Sequence, residues 1–216
     1  METEVKLAFK DKDSLFKVAL SEDFRKFLGD SDPETMLLEN SYLDTTDMKI
    51  LKRNASVRQR HVKGSEDYFE ETVKFRGGAS GGLHRRFEWN VRHEGKFSIE
   101  DFKSLAKENG DPVELLDIVF EGVENDDLTV LCFNSFQRTV YELEYKSSKI
   151  EACFDSGLIK NSDGSKTDEI CELELELIQG DEDDLKELSS LLSSKYDCHP
   201  LDKSKFQRTL ELAKRG

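Results

Sequence analysis

The sequence predicts an α+β fold: an antiparallel sheet closed into a barrel, with helices packed on its outside. Three observations predict it. Glu2, Glu4 and Lys6 alternate with Thr3 and Val5 at one end of the chain, and Glu172, Glu174 and Glu176 alternate with Leu173 and Leu175 near the other. A period of two puts the charges of a strand on one face and its apolar residues on the other. The stretches between carry cations at the same spacing, as in Arg58 and Arg60. Closing such a sheet brings the first and last strands together, removes the sheet edges and leaves an apolar outside for helices to bury.

The elements follow in order. Residues 1–9 alternate as a strand. Residues 12–28 read as one amphipathic helix, since Leu15, Phe16, Ala19, Leu20, Phe24, Phe27 and Leu28 recur at helical spacing and Gly29 stops it. A strand is expected over 35–44, and Thr45-Thr46-Asp47 caps a short helical turn. After a turn at Asn54, strands are expected over 55–63 and 67–75. The glycine-rich run Arg76–Gly82 has glycines at P-loop spacing, but Leu83 stands where the lysine belongs and a strand (83–91) follows instead of a helix, so a flexible hairpin loop is expected. Residues 97–109, capped by Ser98, and 113–121 read as helices, and 128–145 as one long bent strand or two short ones. Strands over 150–159 and 169–178 flank a turn at Asn161-Ser162-Asp163-Gly164. Asp181, Glu182, Asp183 and Asp184 open a helix to about residue 195, where their charge complements its positive end. A final helix covers 203–215. With no internal repeat or linker, a single domain over 1–216 is expected.

Composition narrows the function classes. The 46 acidic and 32 basic residues leave a net charge of -14, which repels nucleic acid and anionic membranes over the surface as a whole but leaves room for a local basic cavity. No apolar run is long enough to span a bilayer, and the chain starts on a charged strand rather than a signal peptide, so a cytoplasmic protein is expected. Cys132, Cys153, Cys171 and Cys198 form no Cys-x-x-Cys pair and read as buried free thiols. His61, His84, His93 and His199 lack zinc-ligand spacing, and there is no Gly-x-Ser-x-Gly elbow.

Carboxylates gathered on one wall are hard oxygen ligands that suit Mg²⁺ or Mn²⁺. Cations on the other walls suit phosphate. Each segment alone also fits a solvated sheet face; together they describe a polar tunnel for a compact oxyanion chelating a divalent cation. Glu2-x-Glu4-x-Lys6 resembles the signature of the CYTH superfamily, the triphosphate tunnel metalloenzymes. Further matches come in the family's order: Tyr42-Leu43-Asp44-Thr45, Val57-Arg58-Gln59-Arg60, Thr72-Val73-Lys74, Arg86-Phe87-Glu88, Phe136-Gln137-Arg138, Glu151 with Asp155-Ser156-Gly157, Cys171 to Glu176, and Ser204-Lys205-Phe206-Gln207-Arg208. Two departures stand out. Gln59 and His61 occupy places where an apolar outward face is expected, and the helical CHAD domain fused to some relatives is absent.

The resemblance implies an eight-stranded antiparallel tunnel that binds triphosphate and one or two Mg²⁺ or Mn²⁺ ions. It implies Glu2, Glu4, Glu172, Glu174 and Asp155 as metal ligands, with Glu176 as an addition, and Lys6, Arg58, Arg60, Lys74, Arg86, Arg138 and Lys205 as triphosphate contacts. Lys6, Arg58, Arg60 and Glu88 are the expected catalytic group; Glu88, Glu151 and Asp155 orient cations or hold a second metal. The expected partner is a small-molecule triphosphate, with no nucleic acid or membrane, acted on by a monomer or homodimer. Hydrolysis of inorganic tripolyphosphate to pyrophosphate and phosphate is the expected activity. The same tunnel also serves class IV adenylyl cyclases and thiamine or nucleoside triphosphatases, and a non-catalytic polyphosphate-binding module is the remaining alternative. A purine needs apolar surface beside the phosphates, whereas Phe75, Phe87, Trp89 and Phe136 are expected to face the packed outside.

Overall fold

Alternation along the strands becomes a closed surface in three dimensions. The structure, a computed structural model, describes residues 2–30, 32–160 and 165–213. The turn expected at Asn161 to Gly164 and the end of the last predicted helix, 214–215, lie outside the described residues. The strands are β1 (Glu2–Phe9), β2 (Glu34–Asp44), β3 (Ala55–Lys63), β4 (Asp67–Ser80), β5 (Leu83–Arg92), β6 (Thr129–Tyr145), β7 (Ser148–Lys160) and β8 (Thr167–Gln179). They run antiparallel in the spatial order β5-β4-β3-β2-β6-β7-β8-β1, and β1 pairs back onto β5 to close the barrel. Glu4 lies opposite both His84 of β5 and Glu176 of β8. A three-residue strand, β9 (Cys198–Pro200), pairs with the end of β1; it is too short to leave a periodic signal in the sequence.

Helices cover the apolar outside in two groups. α1 (Lys12–Leu20), α2 (Glu22–Arg25) and α6 (Glu182–Lys195) bury Leu15, Phe24, Leu185 and Leu188 against Leu7, Phe154, Leu173 and Leu175. α3 (Lys49–Lys52), α4 (Ile99–Glu108) and α5 (Glu114–Phe120) bury Ile50, Phe102 and Leu116 against Val57, Val73 and Trp89. The single helix expected over 12–28 is broken at Ser21, whose extended backbone (φ -78, ψ 147) ends α1 while its hydroxyl accepts from the Phe24 N–H at 3.2 Å and starts α2. The short turn after β2 is α3. Thr45 Oγ1 accepts from Lys49 N (2.9 Å), and the buried Asp44 carboxylate accepts from Ile50 N (2.9 Å) and Leu51 N (2.8 Å).

The glycine-rich segment differs from a flexible loop. β4 runs through it to Ser80, and only Gly81 and Gly82 turn the chain, both at positive φ. The tip is docked: Lys6 N donates to Gly82 O (2.9 Å), and Gly82 N donates to Asp202 Oδ1 (2.6 Å). A shift of register between Phe75 and Gly78 makes a bulge at Arg76-Gly77.

The two outward polar residues of β3 are covered rather than bare. Gln59 Nε2 donates to Glu71 Oε1 (3.0 Å) and to Gly95 O (3.1 Å), and His61 stacks on Phe69 at 4.2 Å. Glu71 is fully buried, and that burial raises its pKa. The last helix, α7 (Lys205–Ala213), does not lie on the outside. It enters the barrel, where Thr209 Oγ1 accepts from Asn134 Nδ2 (2.9 Å) and Leu212 joins Leu38, Val62, Phe136, Ile159 and Ile170 in an interior apolar cluster. Phe136 therefore faces inward, contrary to the outward placement expected for it.

Candidate active site: a tunnel with two charged poles

Inside the barrel lies a cavity of about 230 Å³ walled by seven cations and seven carboxylates. The cations are Lys6, Arg58, Arg60, Lys74, Arg86, Arg138 and Lys205; the carboxylates are Glu2, Glu4, Glu70, Glu88, Glu151, Glu174 and Glu176. Strand periodicity puts them there, because the residues alternating with them fill the two outer apolar clusters.

Most of these charges are locked in pairs. Lys6 Nζ donates to Glu4 at 3.0 Å and to Glu174. Arg86 Nε donates to Glu2 at 2.6 Å, and its Nη2 to Glu4. Lys74 bridges Glu2 (3.2 Å) and Glu88. Deeper in the wall, Arg138 holds Asp155 with two hydrogen bonds of 2.7 Å and Glu174 with one of 2.5 Å. Lys205 Nζ reaches Asp155 at 2.6 Å, Glu174 at 2.8 Å and Glu172 at 3.2 Å. Burial alone lowers the pKa of Lys6 and Lys205, but their carboxylate neighbours outweigh it and raise both. Burial likewise pushes Glu174 up, and Lys205, Lys6 and Arg138 together hold it well below the carboxylate range.

Two regions remain out of balance, with opposite signs. At one, burial and the neighbouring Arg58 depress Arg60 to about 10, since Glu70 approaches it only to 3.7 Å. At the other, burial and then Glu2, Glu88, Glu4 and Glu151 push Glu176 up to about 8. Among the described residues no cation forms an ion pair with it. The cavity thus has a pole short of anion and a pole short of cation.

Arg58 is oriented by a relay. Its Nη2 donates to Thr72 Oγ1 (2.7 Å), which donates to Asn90 Oδ1 (2.8 Å), whose Nδ2 donates to Glu88 Oε1 (3.0 Å). Burial opposes the Glu88 charge, but Lys74, a hydrogen bond with Glu2 and Arg58 bring its pKa to about 2.

Residues 1–210 match the CYTH domain. The chain belongs to the CYTH family. An inorganic triphosphatase of Haemophilus influenzae is 27% identical over 176 residues, which cover 81% of this chain and 46% of that protein, so the chain spans about half the length of that relative. Among solved structures, a putative adenylyl cyclase from Hippeastrum, described as having a dominant triphosphatase activity, superposes with a TM-score of 0.68 at 18% identity, covering 98% of this chain and 96% of the other. A putative adenylate cyclase from Bacillus halodurans superposes with a TM-score of 0.54 at 20% identity, covering 96% and 98%. At these identities the structural likenesses show a shared fold.

The CYTH tunnel gathers all seven expected cations, together with Glu2, Glu4, Glu88 and Glu174, around one cavity. Asp155 and Glu172 are placed otherwise. Both are fully buried behind the cavity wall, against Lys205, with Arg138 and Arg208 completing their shells. Glu176, Glu151 and Glu70 line the cavity, as do Tyr42, Asn90 and Phe206. The signal for Glu176 was strand register: in an antiparallel pair its partner is Glu4, whereas Glu172 falls opposite Ala8. Tyr42 and Phe206 stack at 4.7 Å, and nothing in the sequence links them before α7 is known to enter the barrel.

Among the described residues no three His, Cys, Asp or Glu side chains converge as a ready-made metal cage, because Lys6, Lys74 and Arg86 stand between the carboxylates. The donor set nevertheless fits a hard divalent ion at the acidic pole. Glu176, Glu2, Glu4, Glu88 and Glu151 crowd together there as oxygen donors, and after burial that crowding raises the pKa of Glu176.

Proposed function

We propose that the protein hydrolyses inorganic tripolyphosphate to pyrophosphate and phosphate with the help of Mg²⁺ or Mn²⁺. The observation that carries this reading is the pair of opposite poles within one cavity of about 230 Å³. With Glu176 pushed up to about 8 and so largely protonated near neutral pH, seven cations face six charged carboxylates, which leaves little surplus charge to bind a polyanion on its own. An anion that arrives with divalent cations satisfies both poles at once. The volume is below the ~300–1,000 Å³ usual for sites that enclose drug-sized ligands. The inorganic triphosphatase relative supports the same reaction class.

Each group then has a chemical task. Arg58, Arg60 and Arg138 grip non-bridging oxygens through planar, bidentate guanidinium groups. Lys6, Lys74 and Lys205 add compact point charges, and Arg86, held by Glu2 and Glu4, adds a further guanidinium. Asp155 and Glu172 act through Lys205, and Asp155 and Glu174 through Arg138, fixing where those cations point. Glu2, Glu4 and Glu176 would hold the metal, with Glu88 and Glu151 beside them, and the ion would supply positive charge for the phosphates and acidify water. In hydrolysis a bond forms from a water oxygen to the terminal phosphorus and the bridging P–O bond breaks. Pyrophosphate leaves with the bridging oxygen. Phosphoryl transfer needs mainly positioning and charge stabilisation, which this lining supplies.

A turnover screen tests the proposal: tripolyphosphate, ATP and thiamine triphosphate, each with Mg²⁺ and with Mn²⁺. The expected result is metal-dependent release of phosphate, fastest from tripolyphosphate. Cyclic AMP formed from ATP as the main product overturns it in favour of the cyclase reading.

A further inference from the structure

Closure of the barrel leaves one stretch of strand with a single neighbour. β2 pairs with β6 from Thr129 to Val140, whereas β7 pairs with β6 only from Asn134 onward, starting opposite Ile159. Among the described residues, Thr129 to Phe133 therefore have a strand on one side and an open edge on the other. A groove of about 670 Å³ runs along that edge. Cys132 and Asn134 from the inner face of β6 line it together with Phe133 and Ser135 from the outer face, as happens only where an edge is exposed. Leu158 and Lys160 of β7 close its far end.

Three features give this edge a chemistry of its own. Leu128 to Gln137 are ten consecutive uncharged residues in a chain that is 36% charged, and the edge carries neither the lysine nor the proline that commonly protects such strands. The pairing with β2 slips by one residue at Leu131, since Tyr42 faces Cys132 while Leu43 faces Val130. That extra residue puts Val130 and Phe133, three apart in sequence, on the same outer face. They are 58% and 49% exposed, and Leu158 beside them is 44% exposed. Charge sits only at the two ends. Asp126 and Asp127 precede the edge, with the Asp126 side chain almost wholly in solvent, and the exposed Lys160 stands at the end where Phe133 lies.

We propose that the open edge of β6 docks a second copy of this chain, so that two β6 edges meet antiparallel about a two-fold axis and form a homodimer. An antiparallel edge pair is self-complementary, and one surface then serves both copies. The two-fold reverses the strand. It brings Asp126 of each copy to the end of the groove where Lys160 of the other stands, so the charges at both ends are opposite. The uncharged stretch between them lets two molecules of net charge -14 meet without opposing like charges at the contact. Val130, Phe133 and Leu158 leave water as the copies join. An anionic ligand is the poorer occupant, because among the described residues Lys160 is the only charged side chain in the groove. None of these residues lines the tunnel cavity, so the dimer forms or fails whatever the tunnel hydrolyses.

Sedimentation velocity over protein concentrations from about 1 to about 200 µM, the range in which a small interface shows itself, tests the assignment. Wild type is expected to pass from monomer to dimer as concentration rises. The double variant Val130→Asp with Phe133→Asp, changed only at exposed positions, is expected to remain monomeric. Lys160→Glu and Asp126→Lys each put like charges at both ends of the contact and are expected to weaken association about tenfold or more. Mixed in equal amounts, these two single variants are expected to associate again, because every cross-contact is then between opposite charges. That recovery shows that both variants are folded. A wild type that stays monomeric throughout overturns the self-pairing and leaves the groove to a strand of some other chain. A dimer that persists unchanged in the double variant, or a mixture that associates no better than either variant alone, overturns it as well.

Discussion

Asp155→Asn removes one charge from the most enclosed part of the barrel and changes the shape of the side chain very little. Asp155 is fully buried and accepts two hydrogen bonds of 2.7 Å from Arg138, while Lys205 lies 2.6 Å away. Breaking a buried ion pair by removing one partner typically costs about 3–5 kcal/mol, because the other charge is left uncompensated. Here both cations keep Glu174, at 2.5 Å from Arg138 and 2.8 Å from Lys205, so the lower end of that range applies. For a domain of this size, about 3 kcal/mol lowers Tm by roughly 6–12 °C. The surplus positive charge left behind should also make a polyanion a stronger stabiliser of the variant than of wild type. Differential scanning calorimetry, with and without tripolyphosphate, measures both effects. A Tm within about 2 °C of wild type, a shift appropriate to a surface substitution, would refute the placement of Asp155 between two buried cations.

Other outcomes follow from the same geometry. Glu4→Gln should keep the fold and lower metal-supported turnover by about two orders of magnitude or more, the scale of losing one electrostatic stabiliser; steady-state kinetics at fixed metal concentration checks it. Arg58→Ala and Arg60→Ala should each weaken tripolyphosphate binding by about 1.5–3 kcal/mol, read by calorimetric titration. Thr72→Val should raise KM by loosening Arg58, and Thr72→Ser, which keeps the hydroxyl, should restore it. Glu176 has an ordinary pKa of 4.5 and one of about 8 in the fold, so the folded state holds a proton that the unfolded chain releases. The stability it contributes is full below about pH 4.5 and is lost as pH rises to about 8. In EDTA, Tm should decline across that window, and Glu176→Gln should flatten that part of the decline.

Much of this arrangement was legible from spacing alone. Alternation in β1 and β8 revealed one charged and one apolar face, and the cations of β3 to β6 had to share the charged side. What stayed hidden depended on distance in sequence. The interior position of α7 follows from contacts such as Thr209 with Asn134 and Leu212 with Leu38, which no local pattern announces. Phe136 was expected outside as one of the aromatics read as alternating with the inward charges, yet it lies two residues from Arg138, shares its inward parity and faces the α7 plug. The break at Ser21 was visible in principle, since serine is a strong N-cap, but the apolar spacing runs through it. The opposition of Glu4 to Glu176, rather than to Glu172, required the pairing register.

Competition followed by ³¹P NMR tests the central claim most directly. Wild-type protein is given equimolar tripolyphosphate and ATP with Mg²⁺ or Mn²⁺, and the products are followed in a single spectrum. The account predicts that tripolyphosphate disappears first, giving pyrophosphate and phosphate in equal amounts, that EDTA stops the reaction, and that no cyclic AMP forms. Preferential loss of ATP, accumulation of cyclic AMP, or turnover that continues in EDTA would contradict it.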